Sequence, residues 1–268
     1  MRRLAAWACA LPLVAGAAEY RIAAQGADYR VQAAFRHFDG RALQLAFSLP
    51  RAAVSDSLRE FGYAAPEPGA LAKTCAGCTQ AQYDQRMLEF YRGRGLRVER
   101  EGRSVRLSVD VAAAVARNRP RVRNAAAALD AMAGSDEAVL GAAVAFVQTA
   151  LAYARPPPVE GGRQILDFYP PPRLLEAGRG DCDSKAALLA AMLASFPGVR
   201  MVGVHVPRHY LVGIGRVPRP GEAFVEYDGA PYVLIEASGP AWLPPGQIAE
   251  TTQSALATMD GVRIDPLF

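Results

Sequence analysis

Residues 178–193 read GRGDCDSKAALLAAML, and the way this run is read decides how the rest of the chain is laid out. Gly178, Arg179 and Gly180 mark a turn, Asp181 is a good helix N-cap, and the apolar residues that follow recur at helical spacing. Cys182, Ala186, Leu189, Leu193 and Phe196 fall three or four apart and share one face, so the spacing predicts that Cys182 points into the protein body from the first turn. The N-terminal end of a helix dipole favours a thiolate, the nucleophilic form of cysteine. Asp183 works against this unless its carboxylate faces solvent or is paired, with Lys185 as a candidate partner.

The start of the chain sets the compartment. Arg2 and Arg3 precede the apolar run LAAWACALPLVAG, and Ala15, Gly16 and Ala17 follow in A-x-A form, which reads as a signal peptide over residues 1–17. The apolar run is shorter than the about 20 residues a bilayer-spanning helix needs, and no later stretch reaches that length without charges. The expected mature chain therefore carries no transmembrane segment and works in the periplasm or outside the cell. Removing the leader takes away two arginines and no acids, so the formal charge falls from +4 to +2. A charge that small argues against nucleic acid as a partner. About 250 residues remain, enough for one full core or two small ones.

Cysteine counting sharpens the question. Loss of Cys9 leaves Cys75, Cys78 and Cys182, an odd number in an oxidising compartment, so at least one stays unpaired. Cys75 and Cys78, in KTCAGC, are close enough to form a small structural disulfide at the start of a helix. A redox-active pair is the competing reading, but no βαβ context precedes it. Zinc would need two further ligands, and His37 is the nearest histidine.

Between Glu19 and Asp110 the pattern is short-range. YRVQAAF and RALQLAFSL alternate around Asp39-Gly40 as a hairpin, AAVSDSLREFGY reads as a helix, a second helix lies near residues 79–94, and LRVEREGRSVRLSV turns at Glu101-Gly102. This predicts a small α+β module over residues 18–110. From residue 111 the alanine-rich stretches VAAAVARN, NAAAALDAMAG and DEAVLGAAVAFVQTALAYA read as helices, the last ended by Pro156–Pro158, and the segment from 156 to 178 reads as a proline-stiffened loop.

An unpaired cysteine at a helix start needs a base to act as a nucleophile, and the chain has three histidines: His37, His205 and His209. VRMVGVHVPRHYLVGIG reads as two strands broken at Pro207. His209 opens the second, with Gly213 and Gly215 leaving room beside it, and is preferred over His205 at the bend. AFVEYDGAPYVLIEASGP is a hairpin turning at Asp228-Gly229, and Tyr232, Leu234 and Glu236 share a face of its second strand. A carboxylate ending an apolar strand must find a partner or be neutralised, which singles out Glu236, with Asp228 the lesser alternative.

A cysteine opening a helix in G-x-G-D-C-D-x-K, a histidine heading a later strand and an acid on the next one resemble the core domain of transglutaminase-like cysteine peptidases, a branch of the papain-like superfamily. The FVQTALAY helix and the Pro-rich loop before the cysteine fit as well. The resemblance covers about residues 140–250 and does not extend to the N-terminal part. It implies an α+β fold in which the Cys-bearing helix packs on an antiparallel sheet, within a transglutaminase-like domain over residues 111–268. It also implies a catalytic triad of Cys182, His209 and Glu236, with Glu236 standing where the family more often has Asp. The backbone N–H of Cys182 and the side chains of Gln148 and Gln164 are then the candidate oxyanion donors. The implied activity is hydrolysis of a peptide or amide bond in a periplasmic protein or cell-wall peptide, through a thioester acyl-enzyme. Acyl transfer to an amine, giving a cross-linking enzyme, and a non-catalytic binding module remain the alternatives. No cofactor is required, and calcium binding by the acidic residues around Cys182 stays open.

Overall fold

Alternation of apolar and polar residues builds the first sheet. The computed structural model describes residues 18–101, 104–239, 242–259 and 261–268; the expected leader lies outside the described residues. Strands β1 (Glu19–Gln25), β2 (Asp28–Arg36) and β3 (Ala42–Pro50) pair antiparallel in that order. Val31, Ala33 and Phe35 of β2 and Leu45, Phe47 and Leu49 of β3 turn inward, every second residue in each case. Helices α1 (Arg51–Glu60), α2 (Pro66–Lys73) and α3 (Gln80–Gly93) follow, and α3 begins with a capping box between Thr79 and Gln82. Strands β4 (Leu96–Glu101) and β5 (Ser104–Val109) form a separate hairpin, so the two expected strand pairs do not join into one sheet.

Helices α4 (Val111–Asn118), α5 (Arg123–Ala133) and α6 (Asp136–Ala145) occupy the three alanine-rich stretches. The last helix does not run to the prolines. It widens into a π-turn over Phe146–Ala150, Leu151 is extended, and Ala152–Tyr153 pair as a short parallel strand with Arg179–Gly180. The backbone N–H groups of Ala152 and Ala154 donate to the Gly178 and Gly180 carbonyls, and these bonds take the chain out of the helix. The segment expected as loop also contains a helix, α7 (Pro171–Ala177), with proline in its first turn and Gly178 ending it at φ 64°.

Helix α8 (Cys182–Leu193) is buried on all sides from Ser184 to Leu193, which corrects the expectation of a single apolar face. It is the central helix. It packs on a curled antiparallel sheet of strands β6 (Met201–Val206), β7 (His209–Gly215), β8 (Phe224–Tyr227), β9 (Ala230–Ile235) and β10 (Arg263–Pro266), in the order β8-β9-β7-β6-β10. The β8–β9 hairpin turns at Asp228-Gly229 as its sequence predicts, both residues having positive φ. Tyr210, Val212, Ile214, Val233 and Ile235 face α8; Leu211, Tyr232 and Leu234 form a second cluster on the opposite face with Ala255 and Leu256 of helix α9 (Glu250–Thr258).

The fold is thus mixed α and β. One continuous core joins Val31, Phe35 and Leu45 of the first sheet to Phe146, Leu188 and Val212. The expected boundary near residue 110 falls inside that core. Among the described residues no helix is long and apolar enough to cross a membrane.

Candidate active site

The candidate nucleophile, Cys182, sits at the start of α8. Asp181 caps the helix, its Oδ1 accepting from the Ser184 N–H at 3.4 Å, while Asp183 Oδ1 accepts from the same N–H at 2.9 Å. The Ser184 hydroxyl in turn accepts from the Tyr169 N–H at 3.0 Å, tying the preceding loop to the helix. Gly180 fits a crowded place, since a Cβ there would lie 2.6 Å from Leu174 Cδ1 and make that side chain shift. Cys182 is a free thiol, half-buried. Cys75 and Cys78 are joined in a disulfide between α2 and α3.

His209 arrives from the sheet. A two-residue turn, Pro207-Arg208, leads into β7, and Arg208 sits at φ 63°, a left-handed conformation that costs a non-glycine residue about 1–2 kcal/mol. Strand alternation puts His209 with Leu211 on the face away from α8. Because it is the first residue of the strand, its ring nonetheless comes near enough to Cys182 for that side chain to act on its pKa. Its Nε2–H donates to Glu236 Oε2 at 2.6 Å, which leaves Nδ1 for the sulfur.

Glu236, only 3% exposed, follows β9 on the same face. Its second oxygen, Oε1, accepts from the Thr252 hydroxyl at 2.7 Å and from the Ala249 N–H at 3.4 Å, both at the start of α9. Both carboxylate oxygens are therefore engaged, and the ring is held in one orientation.

The electrostatics follow from these contacts. Burial alone would lower the His209 pKa, but the hydrogen bonds to Cys182 and Glu236 and their charges outweigh it and raise it to about 10. Burial likewise would raise the Glu236 pKa, and the His209 hydrogen bond and charge, with Thr252 and Ala249, bring it below its ordinary value. Asp183 is held well above the usual carboxylate range, first by burial and then by the charge of Asp181 and the hydrogen bond the two share. The upward shift lessens the expected conflict of Asp183 with a thiolate. Lys185 is not its partner. Lys185 is fully buried, and its Nζ donates to the Leu151 carbonyl at 2.7 Å and the Gln148 carbonyl at 3.5 Å, with burial lowering its pKa to about 8.

Gln148 needs correcting as an oxyanion donor. Its Nε2 donates to the Glu236 carbonyl at 2.6 Å and the Leu243 carbonyl at 2.9 Å, and its Oε1 accepts from the Leu243 N–H at 3.1 Å. Both amide hydrogens are spent on backbone, so none is left for a substrate oxygen. Gln164 lies in a small ladder with Tyr63 and Val159, and among the described residues no hydrogen bond joins its side chain to the site. His205 pairs across the β6–β7 hairpin with Tyr210 and takes no part. Asp228 is a turn residue.

Three contributors escaped the sequence reading. Tyr153, half-exposed on the short strand beside Cys182, has its pKa raised by partial burial and then by the charge of Cys182. The sequence placed it on a helix. Thr252 and the Ala249 N–H carry no sequence signal, because only the return of α9 brings them to Glu236. Among the described residues no group of three or more His, Cys, Asp or Glu is arranged to hold a metal. No family model matches the chain, and neither a curated protein nor a solved structure matches it.

Proposed function

We propose that the protein is a cysteine hydrolase that cleaves a peptide or amide bond through a thioester acyl-enzyme, on a core of the papain and transglutaminase-like kind. The observation that carries this reading is the His209 ring, which interacts with the free Cys182 side chain and is hydrogen-bonded to the Glu236 carboxylate at 2.6 Å. With its pKa raised, His209 rests as an imidazolium, the partner that a thiolate at the start of α8 requires.

In the first half-reaction the sulfur attacks the acyl carbon, and the tetrahedral intermediate expels the amine, which takes the proton from His209. In the second, water attacks the thioester, gives a proton to His209, and Cys182 leaves as the thiolate. The oxyanion is met by the Cys182 N–H, which has no intrahelical acceptor at the first position of the helix, and by the Tyr153 hydroxyl in place of Gln148. The leader-like N-terminus puts the substrate in the periplasm or outside the cell, as a protein or the peptide of the cell wall.

Iodoacetamide tests the reading. Cys182 is expected to alkylate faster than free cysteine at neutral pH, and His209→Ala to remove that advantage, while Cys182→Ala abolishes cleavage of peptide substrates. Equal alkylation rates in both proteins would leave a non-catalytic binding module instead.

A further inference from the structure

We propose that the cavity bordered by His209 and Glu236 is the leaving-side subsite of this hydrolase and receives an apolar side chain, that of the residue whose amine departs; the assignment rests on the function proposed above. The cavity measures about 250 Å³, and among the described residues Val206, Pro207, Leu243 and Ala255 give its walls their apolar part, with the hydroxyl-bearing Ser238 and Thr251 beside them. It lies between the β6–β7 turn, the segment after Glu236 and the inner side of α9.

Position assigns the side. His209 and Glu236 line the cavity and Cys182 does not, so the imidazole stands between the sulfur and this space. The acyl carbon must sit on the sulfur. The departing amine must sit within reach of the imidazole that protonates it, and the chain it belongs to continues past the ring into the cavity.

Bonding assigns the chemistry. Glu236, the one carboxylate in these walls, has Oε2 held by His209 and Oε1 held by Thr252 and Ala249, and the Thr252 hydroxyl has its proton committed to Glu236. The charges of Glu236 and the His209 imidazolium are paired with each other at 2.6 Å, so a charged occupant would find no free counter-charge and would lose its water on entering, whereas an aliphatic one gains by leaving water. Leu243 also walls a second, more open cavity of about 810 Å³ with Phe224, Leu234, Ile248 and Leu256, and that groove leads the peptide onward past an aromatic ring that is 46% exposed.

N-chloroacetyl amino-acid amides test this directly, because the Cys182 sulfur displaces chloride from the methylene carbon and the amino acid is then held on the leaving side. The leucine and asparagine amides have nearly the same shape and differ in polarity. N-chloroacetyl-leucinamide is expected to alkylate Cys182 roughly tenfold or more faster than N-chloroacetyl-asparaginamide, the discrimination an apolar pocket gives. Thr251→Trp and Ala255→Trp, which fill the cavity from α9 without touching the triad, should bring the two rates together while leaving iodoacetamide alkylation unchanged. Equal rates in the unsubstituted protein, or a preference for leucine that survives both tryptophans, would overturn the assignment. A slow iodoacetamide reaction would instead count against activation of the thiol, and the ratio of the two amides would still report on the cavity.

Discussion

His209 has its chemistry strongly altered by its surroundings. Burial favours the neutral ring, yet the Cys182 and Glu236 contacts reverse the sign and leave its pKa near 10. A group whose pKa is raised on folding stabilises the fold fully below its unfolded value of about 6.5, and that contribution is lost as pH rises through about 10. The titration of the His209 ring followed by NMR should therefore have its midpoint near 10. In Glu236→Gln, which keeps the shape and removes the charge, the midpoint should fall towards 6.5, and the stability difference from the unsubstituted protein should be largest between the carboxylate range and about pH 6.5, shrinking below it as Glu236 takes up a proton and above it as His209 loses one through about 10. A midpoint unmoved by Glu236→Gln would remove the acid from the triad. Cys182, His209 and Glu236 were legible one by one, because each opens or ends an element whose periodicity is local. The upward shift of the Asp183 pKa was not, since it comes from burial and from contact with Asp181, neither of which spacing reveals.

At the scale of elements, the π-turn after α6 links helix α8 to the segment that carries Glu236. Lys185, one turn along α8 from Cys182, fastens the carbonyls of Gln148 and Leu151, and the Gln148 amide fastens the backbone of Glu236 and Leu243. The two segments are thereby held in one hydrogen-bonded frame. Gln148→Leu fills the same space and leaves two carbonyls and one N–H without their partner, a loss of about 1–3 kcal/mol for each buried group that stays unsatisfied. Chemical denaturation should show it as a clear loss of stability. An oxyanion donor would behave differently, lowering turnover with stability unchanged. A helical glutamine reads the same in sequence whether it meets solvent, substrate or backbone, and so the sequence alone favoured the wrong partner.

Across the whole molecule, the N-terminal sheet is part of the same structure as the site. Phe35 and Tyr20 pack on Phe146 with ring centres 5.7 Å and 6.4 Å away, and the Tyr20 hydroxyl donates to the Leu175 carbonyl. Phe38, just beyond β2, lies 6.2 Å from Trp242, the neighbour of the cavity wall Leu243. The sheet thus braces the segment that Gln148 also holds. Phe146 is fully buried at this junction, and Phe146→Ala is expected to cost about 3–5 kcal/mol. Tryptophan fluorescence and circular dichroism should then report one coincident unfolding transition, shifted as a whole. Two separate transitions would show that the N-terminal part folds independently.

The amino-acid sequence by itself determined what is local: the helix that starts at Cys182 behind its Asp181 cap, the hairpins at Asp39-Gly40 and Asp228-Gly229, and the extended run that begins at His209. Turn chemistry and the periods of helix and strand act over a few residues and can be read along the chain. Only the tertiary structure decided that the helix after Asp136 ends in a π-turn at Ala150, that α9 returns to bond Glu236, that Gln148 serves the backbone, and that His209 reaches the sulfur past the end of its strand. Each of these depends on groups tens of residues apart competing for the same hydrogen bonds and the same buried space, and no local pattern records which of them wins.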